Sequence, residues 1–375
     1  MNSLQQKLRL FARALVICLL LVETALRFGV SYLGMRITGR SLADRQALFA
    51  ESVLSLFRRL GATFIKVGQI MSTRPDLLPP HVIVALSRLQ DDVGPFPYSQ
   101  VERTIHEDFG QPVSTLFREF SPVPIASASV AQVHRARLAD GQVVAVKVRR
   151  PDIEELCAFD LSVMSFYARL LELLPSLRTL APLESVEQFG RAIAMQLDFT
   201  IEAENNRRFT RNFAAEPQVI VPKLFDPLCS RRVLTMDFIE GKKILDTGGS
   251  QPERRALGEL GFRIMLKMIF ADGFVHADLH PGNLLVTQDG QVALLDLGLV
   301  AEMDDTHRLA FARYFAAWAR GDGHTMAEIM VTHSPSPYVR DRAGFEQAIQ
   351  GFVDRLHGKR LGEVEVAKVV YEMLQ

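Results

Sequence analysis

The sequence has few cysteines and no excess of either charge. Its 375 residues include 43 Lys and Arg and 43 Asp and Glu, which argues against a dedicated nucleic-acid-binding protein, and we expect no nucleic-acid partner. Its three cysteines, Cys18, Cys157 and Cys229, lie far apart and form no CxxC pair. This spacing argues against a disulfide framework or a thiolate zinc site and favours a reducing compartment.

Long hydrophobic runs are also missing from the start of the chain. The apolar stretch over residues 14–22 ends at Glu23, whereas a membrane-spanning helix needs roughly 20 apolar residues. Six basic residues and one acidic residue lie within residues 1–40, a net charge of +5, so the remainder carries −5. Three interpretations stay open: a signal peptide that lacks a good cleavage site, a membrane-surface helix attracted to anionic lipid, and an amphipathic helix packed on its own domain. The basic residues are Lys7, Arg9, Arg13, Arg27, Arg36 and Arg40.

Hydrophobic periodicity predicts a mostly helical chain with strands in the middle. Helical spacing recurs over residues 42–71, 81–89 and 99–120, with proline-rich breaks between these segments. Alternation over residues 130–138 and 142–148, on either side of an Ala-Asp-Gly turn, predicts a β-hairpin. Further predicted elements are helices over 152–212 with interruptions near Pro175 and Pro182, strands over 219–224 and 232–239, a helix over 253–272 and mainly helix after Asp304. The helical pattern stops at Gln375 without a capping signal, which leaves a truncated chain open.

Residues 276–283, His-Ala-Asp-Leu-His-Pro-Gly-Asn, carry the strongest chemical motif. Asp278 precedes Asn283 by five positions, as in the catalytic loop of protein kinases, and Asp296 begins an Asp-Leu-Gly sequence where kinases have Asp-Phe-Gly. Phosphoryl transfer needs a carboxylate that orients or deprotonates the acceptor hydroxyl, and oxygen ligands that hold Mg²⁺. The spacing therefore predicts a phosphoryl-transfer site.

The same residues allow a second interpretation, a metal hydrolase that uses His276, Asp278 and His280. This cluster has no clear fourth-ligand motif elsewhere, and it leaves the Asp-Leu-Gly sequence at Asp296 unexplained. A polar loop with chance histidines is the remaining alternative. We favour phosphoryl transfer because the spacing, the strand context and the second acidic motif agree.

Lys147 lies in an alternating segment over residues 144–148, which directs its side chain to one face of a strand. Kinases use such a lysine to contact nucleotide phosphates, although a lysine on a solvated strand face is equally common. The loop upstream, over residues 124–134, has no G-x-G-x-x-G sequence. The methyl groups of Ala126 and Ala128 restrict the backbone to fewer conformations than glycines at these positions would allow.

Taken together, these residues resemble the UbiB-type atypical kinase-like family, which is associated with coenzyme Q biosynthesis. The family's K-x-G-Q motif matches residues 66–69, its Ala-rich loop matches residues 126–131, and its nucleotide lysine matches Lys147. Its catalytic and metal motifs match residues 276–283 and 296–298. The resemblance covers roughly residues 45–300, and an ordinary kinase is not expected to combine the first two motifs.

The resemblance implies roles for individual residues. Asp278 would be the catalytic-loop aspartate, Asn283 and Asp296 would bind Mg²⁺, and Lys147 would contact ATP phosphates with Glu202 as its helix partner. The other implied site residues are Ala126, Ser127, Ala128 and Ser129 at the ATP site, and Lys66, Gly68, Gln69, Gln196 and Asp198 in a regulatory extension that folds over it.

Several positions depart from the family or kinase pattern. Gln196 stands where the family has the glutamate of an E-x-D motif, so the negative charge is lost there. Glu204 competes with Glu202 as the lysine's partner, and Leu297 replaces the usual phenylalanine. No Ala-Pro-Glu sequence follows Gly298, which argues against phosphorylation of protein partners.

We therefore expect an α+β, two-lobed protein-kinase-like fold with an N-terminal helical extension. The predicted segments are a basic amphipathic or membrane-associated leader over 1–41, a helical extension over 42–120, and a kinase-like domain over 121–375 with a small lobe over about 121–240 and a helical lobe over about 241–375.

The expected function is ATP- and Mg²⁺-dependent kinase or ATPase activity that supports isoprenoid-quinone biosynthesis at a membrane. The alternative is a nucleotide-gated module that binds lipid or a quinone precursor without productive phosphoryl transfer. Expected partners are membrane lipids and isoprenoid-quinone precursors or quinone-biosynthesis proteins, and a homo-oligomer stays open. We expect the cytoplasmic face of a bacterial inner membrane or its organelle equivalent.

Overall fold

The computed structural model describes residues 3–72, 78–89, 94–174, 181–279, 281–334, 339 and 341–356. It contains helices and sheets, and its chain forms two compact units. The first unit comprises Met1–Thr210 and Val221–Ile239, and the second comprises Arg211–Ile220 and Glu240–Gln375. Some predicted features lie outside the described residues. They are the chain end at Gln375 and parts of the proline-rich breaks, at residues 73–77, 90–93 and 175–180.

The first unit begins with four helices. They are α1 (Ser3–Ile37), α2 (Leu42–Leu60), α3 (Ala62–Ser72) and α4 (Pro80–Leu86). Ser41 begins α2 with a capping box, because its hydroxyl accepts a hydrogen bond from the Asp44 amide while the Asp44 carboxylate accepts one from the Ser41 amide. Gly61 separates α2 from α3 with a φ of 89°, which divides the helical segment predicted over residues 42–71.

The segment predicted as helical over residues 99–120 contains three elements instead of one. They are α5 (Tyr98–Phe109), α6 (Val113–Leu116) and the short strand β1 (Glu119–Phe120). The prediction of continuous helix was wrong here because Gly110 ends α5 in the left-handed conformation, with a φ of 68°. Pro112 then precedes the next helix in an extended conformation.

A five-stranded antiparallel sheet forms the middle of the first unit. Its strands are β1, β2 (Ala126–Ser127), β3 (Ala131–Arg137), β4 (Val143–Arg149) and β6 (Val233–Asp237). The hairpin of β3 and β4 agrees with the alternation of the sequence, and the strand predicted over residues 232–239 agrees with β6. One face of the sheet buries Val144, Val146 and Val148 against Val101 and Ile105 of α5. The opposite face therefore receives the alternate residues of β4.

Three helices complete the first unit. They are α7 (Ile153–Glu172), α8 (Pro182–Leu197) and α9 (Phe199–Asn212). Phe199 and Ala203 of α9 pack with Ala131 of β3 and Leu234 of β6, so α9 covers the sheet face opposite α5. The extension is joined to these helices, because Val67 of α3 packs in one cluster with residues of α7 and α8.

The second unit contains two small sheets. One comprises β5 (Val219–Ile220), β10 (Val292–Leu294), β9 (Leu284–Val286) and β7 (Lys242–Lys243), and the other pairs β8 (Phe274–His276) with β11 (Val300–Glu302). The strand predicted over residues 219–224 is shorter than expected. Within the predicted segment, only the residues of β5 pair with β10, whereas Leu224 forms an isolated bridge with Met236 in the first unit.

The second unit also contains four α-helices in its described part. They are α10 (Gln251–Leu266), α11 (Asp305–Ala319), α12 (Gly323–Thr332) and α13 (Arg342–Leu356). Alpha-helical geometry ends at Leu266, and residues 267–272 form a π-helical turn where the sequence predicts helix up to residue 272. Ala317, Met326 and Val353 belong to the core that joins α11, α12 and α13.

Candidate active site

Lys147 lies at the centre of the sheet in the first unit. In β4 it is opposite Val133 of β3 and Leu234 of β6. Since Val146 and Val148 occupy the face toward α5, the period of two directs Lys147 to the face that α9 covers.

Glu202 of α9 forms an ion pair with Lys147. Its two carboxylate oxygens lie 2.9 Å and 2.8 Å from the lysine Nζ atom, and the two side chains are only 4% and 11% exposed. The Nζ atom also lies 5.2 Å from the centre of the Phe199 ring, which adds a cation–π contact. The ammonium group is therefore held between a carboxylate and an aromatic face.

The competing glutamate is directed elsewhere. Glu204 forms an ion pair with Arg207 at 3.2 Å, and its side chain is 66% exposed. Glu202 follows Phe199 by three positions, so both lie on the same face of α9, whereas Glu204 does not. The structure thus pairs Lys147 with Glu202.

The Ala-rich loop forms a tight turn beside this sheet. Ala126 and Ser127 pair with β3, and the Ala128 amide donates to the Ala131 carbonyl at 2.7 Å. The structure describes residues 126–131 fully, and none of them has a positive φ. Ser129 is buried. The loop therefore has an ordinary backbone where a glycine-rich loop would use left-handed conformations.

The K-x-G-Q motif lies on α3 of the extension. Lys66 is 7% exposed, and the Gln69 side-chain amide donates to the Leu89 carbonyl at 3.0 Å. A Cβ atom on Gly68 would come into severe contact with Leu89 and would lie 2.7 Å from Phe57. The glycine thus allows α3 to approach its neighbours closely.

Gln196 and Asp198 lie where α8 ends and α9 begins. Gln196 is buried. One oxygen of Asp198 accepts hydrogen bonds from the backbone amide and the hydroxyl of Thr200, and the other pairs with Arg231 at 3.2 Å. Asp198 therefore caps the start of the helix that carries Glu202.

Val130 connects the loop to both neighbouring cores. It packs against the cluster shared by α3, α7 and α8, and also against the cluster of Phe199 and Ala203. Within the first unit, Val130 thus links the Ala-rich loop to the core of the extension and to the core beneath the helix that carries Glu202.

In the second unit, the loop after β8 holds Asp278 and Asn283. The Asn283 side-chain amide donates to the Asp278 carbonyl at 3.0 Å, and the Leu295 amide donates to the Asn283 carbonyl at 2.8 Å. The loop and the end of β10 are therefore joined around Asn283, immediately before Asp296.

His276 makes a second connection between the same segments. Its Nδ1 atom accepts from the Asp278 amide at 3.1 Å, so the proton lies on Nε2, which donates to the Leu295 carbonyl at 3.2 Å. Burial lowers the pKa of His276, while the hydrogen bond to Leu295 and the charges of Asp296 and Asp278 oppose that shift. The neutral imidazole of His276 therefore holds the backbone of Asp278 and that of Leu295, the residue before Asp296.

Asp296 has a left-handed backbone with a φ of 52°. In the described part of the chain only Asp152 and Ala181 share this feature among non-glycine residues. Aspartate tolerates this conformation better than most side chains, and such outliers cluster at functional sites. Leu297, which follows, is 2% exposed and occupies an apolar position.

A family model places these features in a known class of proteins. The ABC1 atypical kinase-like domain matches residues 88–330, which is more than half of the chain. The chain belongs to the ABC1 atypical kinase-like family. The expected α+β, kinase-like fold with an N-terminal helical extension, and the resemblance to UbiB proteins, are thereby confirmed.

Curated relatives agree with this membership. An uncharacterized protein of Synechocystis, slr0889, is 31% identical over 95% of this chain and 90% of its own length. The probable protein kinase UbiB of Pseudomonas aeruginosa is 36% identical over 84% of this chain. The chloroplastic protein ACTIVITY OF BC1 COMPLEX KINASE 3 of Arabidopsis thaliana is 37% identical over 72% of it.

The coverage of these ABC1 relatives differs widely. The matched region spans 61% of the UbiB protein and 39% of the Arabidopsis protein. Among solved structures, Rv3197 of Mycobacterium tuberculosis, determined in complex with erythromycin, aligns with a TM-score of 0.53 at 23% identity, over 77% of this chain and 74% of its own. This structural likeness supports the fold.

The donor atoms of the second unit fit Mg²⁺ as kinase-like proteins bind it. Asn283 uses its amide nitrogen within the loop, which leaves a carbonyl oxygen as a ligand, and Asp296 supplies an exposed carboxylate. Oxygen atoms of this kind suit a hard cation.

The geometry around His276 fits the metal-hydrolase interpretation less well than the phosphoryl-transfer interpretation. Both ring nitrogens of His276 are engaged by the backbone, so neither has a lone pair for a metal. His280 lies outside the described residues, within which no group of three or more His, Cys, Asp or Glu side chains could hold a metal ion.

Reasoning from the sequence missed the roles of two residues in the candidate site, Phe199 and His276. Phe199 contacts Lys147, and its spacing of three from Glu202 could have indicated that both share one face of a helix. His276 was considered only as a metal ligand. Its role in holding the loop requires contact with Leu295, which no local sequence pattern indicates.

Proposed function

We propose that this ABC1-family chain is an ATP- and Mg²⁺-dependent phosphotransferase or ATPase that supports isoprenoid-quinone biosynthesis at a membrane. The observation that carries this proposal is the buried ion pair of Lys147 and Glu202. A buried lysine that is paired with a helix glutamate is the arrangement by which kinase-like proteins present an ammonium group to nucleotide phosphates.

The proposed chemistry gives different roles to the lysine and to the oxygen donors. In the first unit, Lys147 binds the phosphates of ATP, and the pair with Glu202 fixes the direction of its Nζ atom. In the second unit, Asn283 and Asp296 hold Mg²⁺ by their oxygen atoms. The cation neutralises charge on the phosphate oxygens when it is bound.

Asp278 orients the attacking oxygen and accepts its proton. The acceptor is water in an ATPase, or a hydroxyl group in a phosphotransferase. The hydrogen bonds of His276 and Asn283 hold the Asp278 backbone in place. Catalysis then depends mainly on positioning and electrostatic stabilisation.

ATP turnover tests this proposal directly. Asp278→Asn should lower turnover by about 100-fold or more while ATP binding persists, since the residue acts on the acceptor. Asp296→Ala and Lys147→Ala should weaken Mg²⁺-dependent ATP binding itself, whereas Asp289→Asn, an exposed turn residue, serves as the control. Unchanged binding in both of the site variants would contradict the proposal.

The second candidate is a nucleotide-gated module that binds lipid or a quinone precursor. The Ala-rich loop favours it, because its ordinary backbone and methyl groups restrict the approach of phosphates. ATP binding without steady-state phosphate release would favour this candidate. Release that Asp278→Asn abolishes, especially if anionic liposomes stimulate it, would favour the enzyme.

The quinone-related role rests on family membership and on the similarity to UbiB proteins. Quinone precursors or quinone-biosynthesis proteins are accordingly proposed as partners. The location at a cytoplasmic membrane face is likewise proposed, and α1 supports the association with a membrane. Within α1, Phe11–Ile37 is long and apolar enough, by length and composition alone, to cross a membrane.

A further inference from the structure

One face of α1 carries an uninterrupted apolar stripe. Nine large apolar residues follow one another at intervals of three or four positions, and each is at least half exposed. They are Leu8, Phe11, Leu15, Leu19, Val22, Leu26, Val30, Leu33 and Ile37. Such spacing places all nine side chains along one side of the helix.

The opposite face of α1 packs against its own unit. Ile17 is 2% exposed and lies in a cluster with Leu60 of α2 and Phe64 of α3. Farther along, the Phe28 ring lies 5.7 Å from the Phe49 ring, centre to centre. The stripe is thus the side of α1 that the rest of its unit leaves exposed.

Two ion pairs attach α1 to its unit. Arg13 makes two hydrogen bonds of 2.9 Å and 2.8 Å to the fully buried carboxylate of Asp160, and a third of 2.6 Å to the Leu60 carbonyl. Glu23 pairs with Arg59 at 2.6 Å. Breaking the first pair would leave a buried charge without its partner.

These attachments rule out a transmembrane arrangement of this conformation. From Arg13 to Phe28 the helix rises by about 22 Å at 1.5 Å per residue, and it contacts its unit at Arg13, Ile17, Glu23 and Phe28. A bilayer core of about 30 Å could not surround the helix while those contacts persist. A bilayer that contacts this conformation would lie alongside the stripe.

The exposed apolar surface continues onto α7. Cys18 on α1 contacts the Tyr167 hydroxyl at 3.3 Å, the end of α7 exposes Phe166 and Leu170, and Leu173, which follows α7, is also exposed. Two helices of the same unit therefore present apolar side chains next to each other.

The charges beside the stripe indicate what covers it. Arg27 is 77% exposed, and Arg36 and Arg40 are also exposed. The one acidic residue of α1, Glu23, is already paired with Arg27 and Arg59. The positive charge of Arg36 and Arg40 beside a long apolar face is complementary to an anionic lipid surface.

We infer that α1 and the end of α7 dock this unit onto an anionic bilayer, with α1 lying in the plane of the interface. The inference deepens the membrane location proposed above and rests on it for the identity of the occupant. It does not require ATP chemistry, so vesicle binding without nucleotide tests it separately from the proposed activity.

Vesicle sedimentation of the full chain provides the first test. The probes are phosphatidylcholine vesicles with and without phosphatidylglycerol. The double variant Leu19→Glu with Leu26→Glu should weaken binding to the anionic vesicles by about 100-fold, because two apolar side chains that enter the interface become charged. Circular dichroism and the unfolding temperature check that the variant folds.

A matched variant controls for added charge. Leu245→Glu with Leu309→Glu changes two leucines of the second unit that are 78% and 63% exposed, compared with 58% and 65% for the stripe pair. This control should bind as the unchanged protein does. Equal losses in both double variants would overturn the inference, as would vesicle binding that neither variant changes.

The depth of α1 provides the second test. Tryptophans placed singly at Leu15, Leu26 or Ile37, with Trp318→Phe as background, report their position through quenching by brominated lipids. A helix in the interface plane should give the same shallow depth, about 5–10 Å into the headgroup boundary, at all three positions. A spanning helix would place the Leu26 position deepest, which would overturn the inference.

Self-association is the other occupant that the experiment can detect. If a second copy covered the stripe, the mass of the protein in lipid-free solution would exceed that of one chain, and the stripe variant would reduce it. That outcome would also overturn the inference.

Discussion

At the scale of single residues, Glu202 determines how Lys147 is presented. Replacement of Glu202 by Gln leaves the lysine without its carboxylate partner in a site that is about nine-tenths buried. We expect Glu202→Gln to reduce ATP turnover at least 10-fold and to lower the free energy of unfolding by about 3 kcal/mol, since breaking a buried pair leaves an uncompensated charge.

Glu204→Gln is the matched control, because it removes the same charge two positions away from an exposed pair. It should change the free energy of unfolding by less than about 1 kcal/mol. Steady-state kinetics and urea titration measure both quantities. Equal effects of the two variants would show that Lys147 does not depend on Glu202.

His134 predicts a pH dependence of stability. Burial lowers the pKa of His134, while its Nδ1 hydrogen bond to the Ser121 carbonyl opposes the shift. As the pH falls below about 6.5, the unfolded chain binds a proton before the folded chain does, so the free energy of unfolding should decrease. The loss continues down to the lowered pKa of the folded state.

Urea unfolding at about pH 7.5 and about pH 5.5 measures this loss, which has a limiting slope of about 1.4 kcal/mol per pH unit for each histidine. His134→Gln should flatten the slope. The buried His276 contributes the same sign and accounts for part of what remains. His106→Gln, at an exposed position, should leave the slope unchanged, and a slope that His134→Gln does not alter would refute the assignment.

At the scale of elements, α3 depends on the absence of a side chain at Gly68. A methyl group there would collide with Leu89 and Phe57, both of which belong to packed clusters. Gly68→Ala should therefore lower the free energy of unfolding by about 1–3 kcal/mol.

A second glycine separates this steric effect from helix propensity. Gly258 of α10 has open space around its Cβ position, so Gly258→Ala should stabilise the chain by up to about 1 kcal/mol. Thermal and urea unfolding compare the two variants. A stabilising Gly68→Ala would show that α3 is not closely packed at this point.

Local sequence predicted most elements of the sheet but not all helix ends. The alternation of β3 and β4 identified their hairpin because each strand contacts the other within a few residues along the chain. The segment over residues 99–120 was predicted less well. Its helical periodicity did not indicate that the helix ends at Gly110 in the left-handed conformation, nor that Phe120 pairs with Ala136 in a strand.

At the scale of the whole molecule, the zero net charge conceals a basic N-terminal segment. We expect binding to phosphatidylglycerol vesicles to weaken by about 10-fold or more between low and high salt, because salt screens the attraction of the arginines beside α1. Binding should not vanish, since the apolar stripe remains.

Arg27→Gln with Arg36→Gln should remove much of this salt dependence. Arg254→Gln with Arg313→Gln, which removes the same charge from exposed positions of the second unit, should preserve it. Sedimentation at several salt concentrations measures the slope. Equal slopes for the two double variants would show that overall charge, not the charge beside α1, attracts the vesicles.

The sequence by itself determined the family to which the chain belongs, and it predicted the chemistry of the site. The signals for this prediction lie in short segments that can be read without the fold. They are the spacing of Asp278, Asn283 and Asp296, the alternation around Lys147 and the K-x-G-Q motif. Only the tertiary structure decided which partners these residues have. Lys147 and Glu202 are 55 positions apart, and Arg13 and Asp160 are 147 apart. Such contacts depend on how packed helices bring distant segments together. The pair of Arg13 and Asp160 shows that the N-terminal apolar segment, which the sequence left open to three interpretations, is a helix held against its own unit.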